Sequence, residues 1–239
     1  MRFYTNVQMV GDNFLVRGYE DGKHFATREK FYPTLFVDSK RKTKYRTLDG
    51  KYVESVEPGT VRECRDFMKN YSEVENFNIY GNERYIYQYI SDKYPEVEVK
   101  FDIEKIKLTT IDIEVASENG FPDVESCAEE ILLITLQDYT TKQIRTWGRG
   151  GFNNKQENVI YKGFDTEYQL LSDFINWWMI EENTPEVITG WNSKLYDIPY
   201  LCRRIDRILG EKLKKRMSPW GLVTEEETFI AGRKHISYD

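Results

Sequence analysis

Asp112 and Glu114 sit two residues apart in the run Leu108-Thr-Thr-Ile-Asp-Ile-Glu-Val115, alternating with Ile111, Ile113 and Val115. A period of two is that of a strand, so the run predicts a strand with one apolar face and both acids on the other. Paired carboxylates repel each other and desolvate badly, so that face must look toward solvent, cations or a metal. Hard divalent ions such as Mg²⁺ and Mn²⁺ take carboxylate oxygens as ligands. A third acid, Asp197, lies in Val187-Ile-Thr-Gly-Trp-Asn-Ser-Lys-Leu-Tyr-Asp-Ile-Pro-Tyr200. Here a short strand (187–189) runs into Gly190, a loop and then the acid. Pro199 suits a first helical turn, the stripe Leu201, Ile205, Ile208 and Leu209 continues the helix, and Gly210 ends it. At the start of that helix Asp197 either caps it or joins the first two acids in a site.

The acids need a frame, and the chain from about residue 103 supplies one in the order strand, strand, helix, strand, helix. Ile131-Leu-Leu-Ile-Thr-Leu136 is an apolar strand fit to pair beside the Asp112 strand. Thr166-Glu-Tyr-Gln169 is a capping box for a helix whose stripe holds Leu170, Leu171, Phe174, Trp177 and Trp178, with the tryptophans in the core. Thr228-Phe-Ile-Ala-Gly-Arg-Lys-His-Ile-Ser237 reads as a β-hairpin turning at Ala231-Gly232. Earlier in the chain, strands and turns dominate: Phe14-Leu-Val-Arg-Gly18, tight turns at Asp21-Gly22 and Asp49-Gly50, and a strand over Tyr85-Ile-Tyr-Gln-Tyr-Ile90. Thr60-Val-Arg-Glu63 opens one helix, with Cys64, Phe67, Met68 and Tyr71 on one stripe. The pattern predicts two domains, 1–102, β-rich with a helix near 60–71, and 103–239.

The 239 residues, 40% hydrophobic and 15% aromatic, can bury a sizeable core. No run of 18 apolar residues is present and Met1-Arg-Phe-Tyr starts no signal peptide, so no membrane span and a cytoplasmic location are expected. Cys64, Cys127 and Cys202 are scattered, which argues for a reducing compartment and against zinc or a disulfide framework. The net charge of −6 speaks against tight non-specific duplex binding, which needs Lys and Arg, but suits an acidic site holding a short single strand. Lys212, Lys214, Lys215 and Arg216 form the basic cluster of note, either a solvated face or a contact for backbone phosphate. His24 and His235 have no companions that would make a ligand pair or a catalytic base.

Asp112-x-Glu114 with Asn192-Ser-Lys-Leu-Tyr196-Asp197 resembles the first two exonuclease motifs of the 3′–5′ proofreading domain of family B DNA polymerases, where a strand carries Asp-x-Glu and a later Asn-x-x-x-Phe/Tyr-Asp supplies a third acid. Asn119-Gly-Phe-Pro122, Thr189-Gly-Trp-Asn192, Lys215-Arg-Met-Ser-Pro219, Arg28-Glu-Lys-Phe-Tyr-Pro-Thr-Leu-Phe36 and Tyr45-Arg-Thr-Leu-Asp-Gly-Lys51 are similar to members from T-even-type phages. The resemblance spans nearly the whole chain. It implies an α/β (α+β) fold, a ribonuclease-H-like exonuclease core with a mixed sheet and flanking helices behind a smaller β-rich N-terminal domain. It also implies Asp112, Glu114 and Asp197 as catalytic and metal-binding residues for two Mg²⁺ or Mn²⁺ ions, Asp112 bridging both, Glu114 holding the hydroxide-bearing ion and Asp197 serving the second. Phe121, Asn192, Tyr196, Lys215, Arg216 and Arg233 are the implied DNA contacts. Phe121 either stacks on an unpaired base or anchors its loop, and Arg233 belongs to a hairpin that helps separate primer end from template. The implied partners are a single-stranded DNA 3′ end, primer–template DNA and the remainder of a polymerase chain.

The family's third segment, a Tyr-x-x-x-Asp on a later helix, and the palm signatures Ser-Leu-Tyr-Pro-Ser and Asp-Thr-Asp have no counterpart. The expectation is an exonuclease domain truncated at its C-terminal end and impaired by it. Two other readings stay open. One is a single-stranded nucleic-acid binding fragment without catalysis, its contact carried by the N-terminal domain. The other is a stand-alone ribonuclease-H-like nuclease, which needs a fourth acid from within the chain; Asp165, Asp173 and Asp206 are available, none expected to sit in a Tyr-x-x-x-Asp setting.

Overall fold

The computed structural model describes residues 2–238 except 82, 96, 97, 119 and 232, and excludes the side chains of Ile230 and Arg233. The chain divides into two compact units, Met1–Lys105 and Ile106–Asp239.

In the first unit, β1 (Arg2–Val10), β2 (Asn13–Glu20) and β3 (Lys23–Lys30) form an antiparallel meander. Asp21 and Gly22 both take positive φ, 49° and 78°, the two-residue turn that suits the twist of a hairpin. A second sheet, in the order β5-β6-β4-β7, is built from β4 (Leu35–Asp38), β5 (Tyr45–Arg46), β6 (Tyr52–Val56) and β7 (Ile79–Tyr80). Between β6 and β7 runs α1 (Val61–Tyr71), opened by the expected box: Thr60 Oγ1 accepts from the Glu63 N–H, and the Glu63 carboxylate accepts from the Thr60 N–H. Cys64 is wholly buried among Phe14, Leu35, Val61 and Tyr85, whereas Tyr71, the last of the expected stripe, is exposed.

One sequence expectation fails here. Residues 85–90 are not a strand but the start of a helix, α2 (Tyr85–Lys93). Tyr85, Tyr87 and Tyr89 alternate as in a strand, yet Tyr87 is exposed while Tyr85 and Tyr89 are both buried at i, i+4 spacing, with Ile86 and Ile90 packed against the same core. The Gln88 amide fixes the helix to the chain before β4, accepting from the Thr34 N–H and donating to the Thr34 carbonyl. Short apolar runs of mixed period are decided by such tertiary contacts.

In the second unit, β8 (Leu108–Val115), β9 (Ile131–Asp138), β10 (Ile144–Arg149), β11 (Val159–Phe164) and β12 (Val187–Thr189) make one sheet in the order β11-β10-β9-β8-β12. The β8/β9 and β9/β10 pairs are antiparallel, and the β10/β11 and β8/β12 pairs are parallel. The sheet is therefore mixed, as expected, but β10 and β11 go beyond the expected two opening strands. Their signal is broken by Gly148 and Gly163, which face each other in register while the Tyr161 ring lies across the first of them. Helix α3 (Glu167–Trp178) starts at the Thr166 capping box, and α4 (Asp197–Leu209) is closed by Gly210 at φ 90°. The two helices bury Leu170, Phe174, Trp178, Leu201 and Ile205 against Ile111, Ile113, Ile131, Ile134 and Trp147. A short α5 (Glu211–Lys214) and a 3₁₀ turn over Lys215–Met217 lead to β13 (Glu225–Ile230) and β14 (Arg233–Tyr238), the expected hairpin; Ala231 stands at its turn and Gly232 lies outside the described residues. Among the described residues no helix is long and apolar enough to cross a membrane.

Candidate active site

The site begins with what β8 can bury. Ile111 and Ile113 enter the core at 1% and 6% exposure, so the alternate residues Asp112 and Glu114 are exposed. Strand β12 pairs only with Leu108–Thr110, which leaves β8 without a strand on that side from Ile111 onward. The chain can leave β12 this close to β8 only because residue 190 is Gly: a Cβ there would stand 2.4 Å from the Ile111 carbonyl oxygen. Asn192 then takes φ 57°, a left-handed conformation that Asn tolerates. Next, the start of α4 occupies the open edge, and Asp197 Oδ1 accepts the Ile113 N–H at 3.0 Å. Asp197 does not cap its helix; the cap position is Tyr196, which makes no side-chain cap bond. Of the two roles open to Asp197 from sequence, the geometry selects attachment to the acidic strand, at 4% exposure.

Asp112, Glu114 and Asp197 line one pocket of about 470 Å³, together with Phe121, Trp191, Asn192 and Tyr196. Among the described residues no Lys, Arg or His lines it. Burial pushes the Asp197 carboxyl above its ordinary value; the N–H groups of Ile113 and of Asp197 itself pull it down, and the charges of Asp112 and Glu114 push it up again. The Tyr196 hydroxyl is raised by burial first and then by the Asp197 charge. These features suit a hard divalent cation, which needs oxygen donors and uncompensated negative charge. Among the described residues, however, no three acidic, His or Cys side chains stand grouped tightly enough to hold a metal.

The other expected contacts divide. Phe121, Asn192 and Tyr196 come together at the pocket. Phe121 is 84% exposed with its ring 5.2 Å from Tyr196, which stands 5.7 Å from the buried Tyr200, so an aromatic row runs from the surface into the core. Lys215 and Arg216 do not line the pocket: they lie beyond the far end of the 13-residue α4, about 20 Å of helix away from Asp197, and Lys215 pairs with Glu211 at 2.9 Å. The Arg233 side chain lies outside the described residues. Trp191 was not singled out from sequence, yet it lines the pocket at 94% exposure. Its signal was a large aromatic in a loop between a strand-end Gly and Asn192.

None of the three spare acids reaches the site. Tyr161 does precede Asp165 by four residues, but in and after β11, at the opposite edge of the sheet from β12. Asp173 accepts from Trp147 Nε1 at 2.8 Å and pairs with Lys162, and Asp206 pairs with Lys214.

Two outcomes follow from this geometry. Gly190→Ala drives a methyl into the Ile111 carbonyl and crowds Ser193, and is expected to cost about 1–3 kcal/mol while shifting the loop that carries Asn192. Melts with and without Mn²⁺ check it; an unchanged melting temperature and metal response would show that the close approach is unimportant. Asp197→Asn keeps the acceptor for Ile113 but removes the charge. A carboxyl with a raised folded-state pKa contributes stability that is complete below its unfolded value, about pH 4, and lost as pH rises through the folded value. In chelator at pH 7 the variant is therefore expected to melt higher than the wild-type chain, and the two to converge in acid. A variant melting lower at pH 7 contradicts this.

A mixed five-stranded sheet flanked by helices, with Asp-x-Glu on an inner strand and a third acid at the start of a helix beside it, defines a ribonuclease-H-like exonuclease domain. The chain belongs to family B DNA polymerases: the model of the DNA polymerase family B exonuclease domain matches residues 59–238. It is 31% identical over 92% of its length to the DNA-directed DNA polymerase of Enterobacteria phage T4, and 30% identical over 91% to that of Escherichia phage RB69. A DNA polymerase of Archaeoglobus fulgidus is 25% identical over 81% of the chain. The chain spans about a quarter of the length of these relatives, 27%, 27% and 26%.

Proposed function

We propose that the pocket is a 3′–5′ exonuclease site that takes the 3′ end of single-stranded DNA and hydrolyses its terminal phosphodiester. Two Mg²⁺ or Mn²⁺ ions would be held by Asp112, Glu114 and Asp197. The observation that carries this reading is the buried Asp197 carboxylate, tied to the Ile113 N–H beside exposed Asp112 and Glu114, with no cationic side chain lining the pocket among the described residues. Bound divalent ions supply charge stabilisation at the attacked phosphate and leaving oxygen and lower the pKa of a bound water. The chain's own residues bind and orient. Phe121 and Trp191 offer aromatic faces on which unpaired bases stack without regard to sequence. The Tyr196 hydroxyl, raised in pKa, stays protonated at neutral pH and donates, and the Asn192 amide both donates and accepts. As relatives named DNA-directed DNA polymerases extend well beyond this chain, primer–template DNA and the remainder of a polymerase chain are the proposed partners.

A 5′-labelled oligonucleotide ladder in Mn²⁺ tests the reading. Shortening from the 3′ end, slower on blunt duplex, is expected. Internal cuts appearing first, or faster digestion of duplex, contradict it. Binding without degradation in Mn²⁺ favours a chain that binds single strands only.

A further inference from the structure

Helix α4 has a second task besides carrying Asp197. Between β8 and β9 the chain belongs to no strand over residues 124–129, so its carbonyls need donors from outside a ladder. Each of the six finds one on α4. Arg203 Nη1 donates to Val124 and Glu125 at 3.4 and 2.8 Å, and Arg207 Nη1 to Ser126 and Cys127 at 3.3 and 3.0 Å. Arg204 Nη1 donates to Cys127 and Ala128 at 3.0 and 3.1 Å, and the Tyr200 hydroxyl to Glu129 at 2.7 Å. One helix thus holds the acidic strand with its first residue and the segment that follows that strand with its body.

Arg204 turns its other side to the buried Glu167, but Arg203 turns outward to the β13–β14 hairpin. Its Nε donates to Glu225 Oε2 at 3.2 Å and its Nη2 to Oε1 at 2.6 Å, a two-bonded fork. Tyr238, opposite Glu225 in the hairpin register, donates its hydroxyl to the same carboxylate at 2.6 Å. Lys234 of the hairpin reaches Glu125 at 3.0 Å. The hairpin is a two-stranded sheet of its own, and a cleft of about 390 Å³ lies where its base meets α4 and the segment, so these charged side chains are the bridge. Upstream, the segment runs through the buried Pro122 to Phe121, the exposed ring of the acidic pocket. Asp123 closes the turn between them: its Oδ2 accepts the Ser126 N–H at 2.6 Å and its carbonyl the Cys127 N–H at 2.9 Å. A displacement at 124–126 is therefore carried to Phe121.

We propose that Arg203 is a positioning residue for the pocket: anchored by Glu225 of the hairpin, it fixes the 124–129 segment and with it the angle at which Phe121 meets an unpaired terminal base. The proposal rests on the reading of that pocket as a nuclease site. A direct contact of Arg203 with phosphate is the weaker fit, because its Nε, Nη1 and Nη2 are all engaged within the protein.

The test uses the full chain with 5′-labelled dT8 in Mn²⁺, reading kcat and KM separately, and amide exchange of Ser126 and Cys127 in chelator. Arg203→Gln is expected to raise KM about tenfold, the worth of one stacked base, with kcat changed by less than about twofold. In a Phe121→Ala background the same substitution should add nothing further to KM, because both changes remove one interaction. Glu225→Gln should raise KM as well. If Arg203 served by its charge on phosphate, removing the neighbouring carboxylate would lower KM instead, and that result overturns the proposal. In both single variants the Ser126 and Cys127 amides should exchange faster while those of β8 and β9 stay slow. Exchange reads the tie whether or not any strand is degraded. No turnover by the wild-type chain with quickened exchange in the variants sinks the nuclease reading and upholds the tie; turnover with unchanged KM, or unchanged exchange, sinks the tie.

Discussion

Asp112→Ala is expected to abolish the divalent-cation response of the chain and to lower hydrolysis of single-stranded DNA by at least about a hundredfold. Replacing groups that merely support a ligand typically costs 10–100-fold in metal affinity or activity, so loss of a ligand itself should cost more. The variant should not unfold the protein. Asp112 is exposed on β8 while its neighbours Ile111 and Ile113 hold the core, so truncation should change stability in chelator by no more than about 0.5 kcal/mol. The signature is thus a split: an unchanged melt in chelator and a lost rise in melting temperature on adding Mn²⁺. Calorimetry showing equal Mn²⁺ binding by variant and wild-type chains would sink the metal assignment.

Arg204→Met should produce the largest loss of stability. Arg204 and Glu167 are both over nine-tenths buried and joined as a fork, with Nε to Oε1 and Nη2 to Oε2 each at 2.6 Å. Arg204 Nη1 also donates to the carbonyls of Cys127 and Ala128, and Glu167 Oε1 accepts the Ile131 N–H at 2.8 Å. One pair therefore ties α3, α4 and the start of β9. Removing Arg204 leaves a buried carboxylate without its partner, a loss of about 3–5 kcal/mol, or roughly 10–20 °C in melting temperature for a unit of this size. Adding Glu167→Gln should recover much of the loss, because the amide carries no charge and still accepts from Ile131; the two changes are coupled and will not add. A single variant that costs under about 1 kcal/mol would show that the pair is not what joins these elements.

What sequence made legible was local chemistry with a fixed period. The Thr60 and Thr166 boxes, the β8 alternation and the α4 stripe each state their element within a few residues, and all are present. Where two periods overlapped, the reading failed: the tyrosines at 85, 87 and 89 satisfy a strand, and only burial of Tyr85 and Tyr89 together shows the helix. Strands β10 and β11 escaped because Gly148 and Gly163 interrupt their apolar faces. Trp191 was hidden for a related reason: an exposed aromatic in a loop has no period, and its relation to the acids exists only once α4 is packed beside β8. Residue types and spacing left Asp197 open between a helix cap and a place with the acids, only the family resemblance joined it to them, and its bond to Ile113 is a property of the sheet edge alone.

That bond makes one backbone amide a reporter on the site. Along an ordinary ladder an N–H answers to a neighbouring strand and is indifferent to ionisation. Ile113 answers instead to a carboxylate whose charge depends on pH and on the neighbouring charges of Asp112 and Glu114. Its proton resonance should follow the titration of Asp197 and move again when Mg²⁺ is added, and in Asp197→Ala its deuterium exchange should quicken while that of the ladder amides stays slow. A single labelled isoleucine amide would then read the state of the site in solution, with no substrate present.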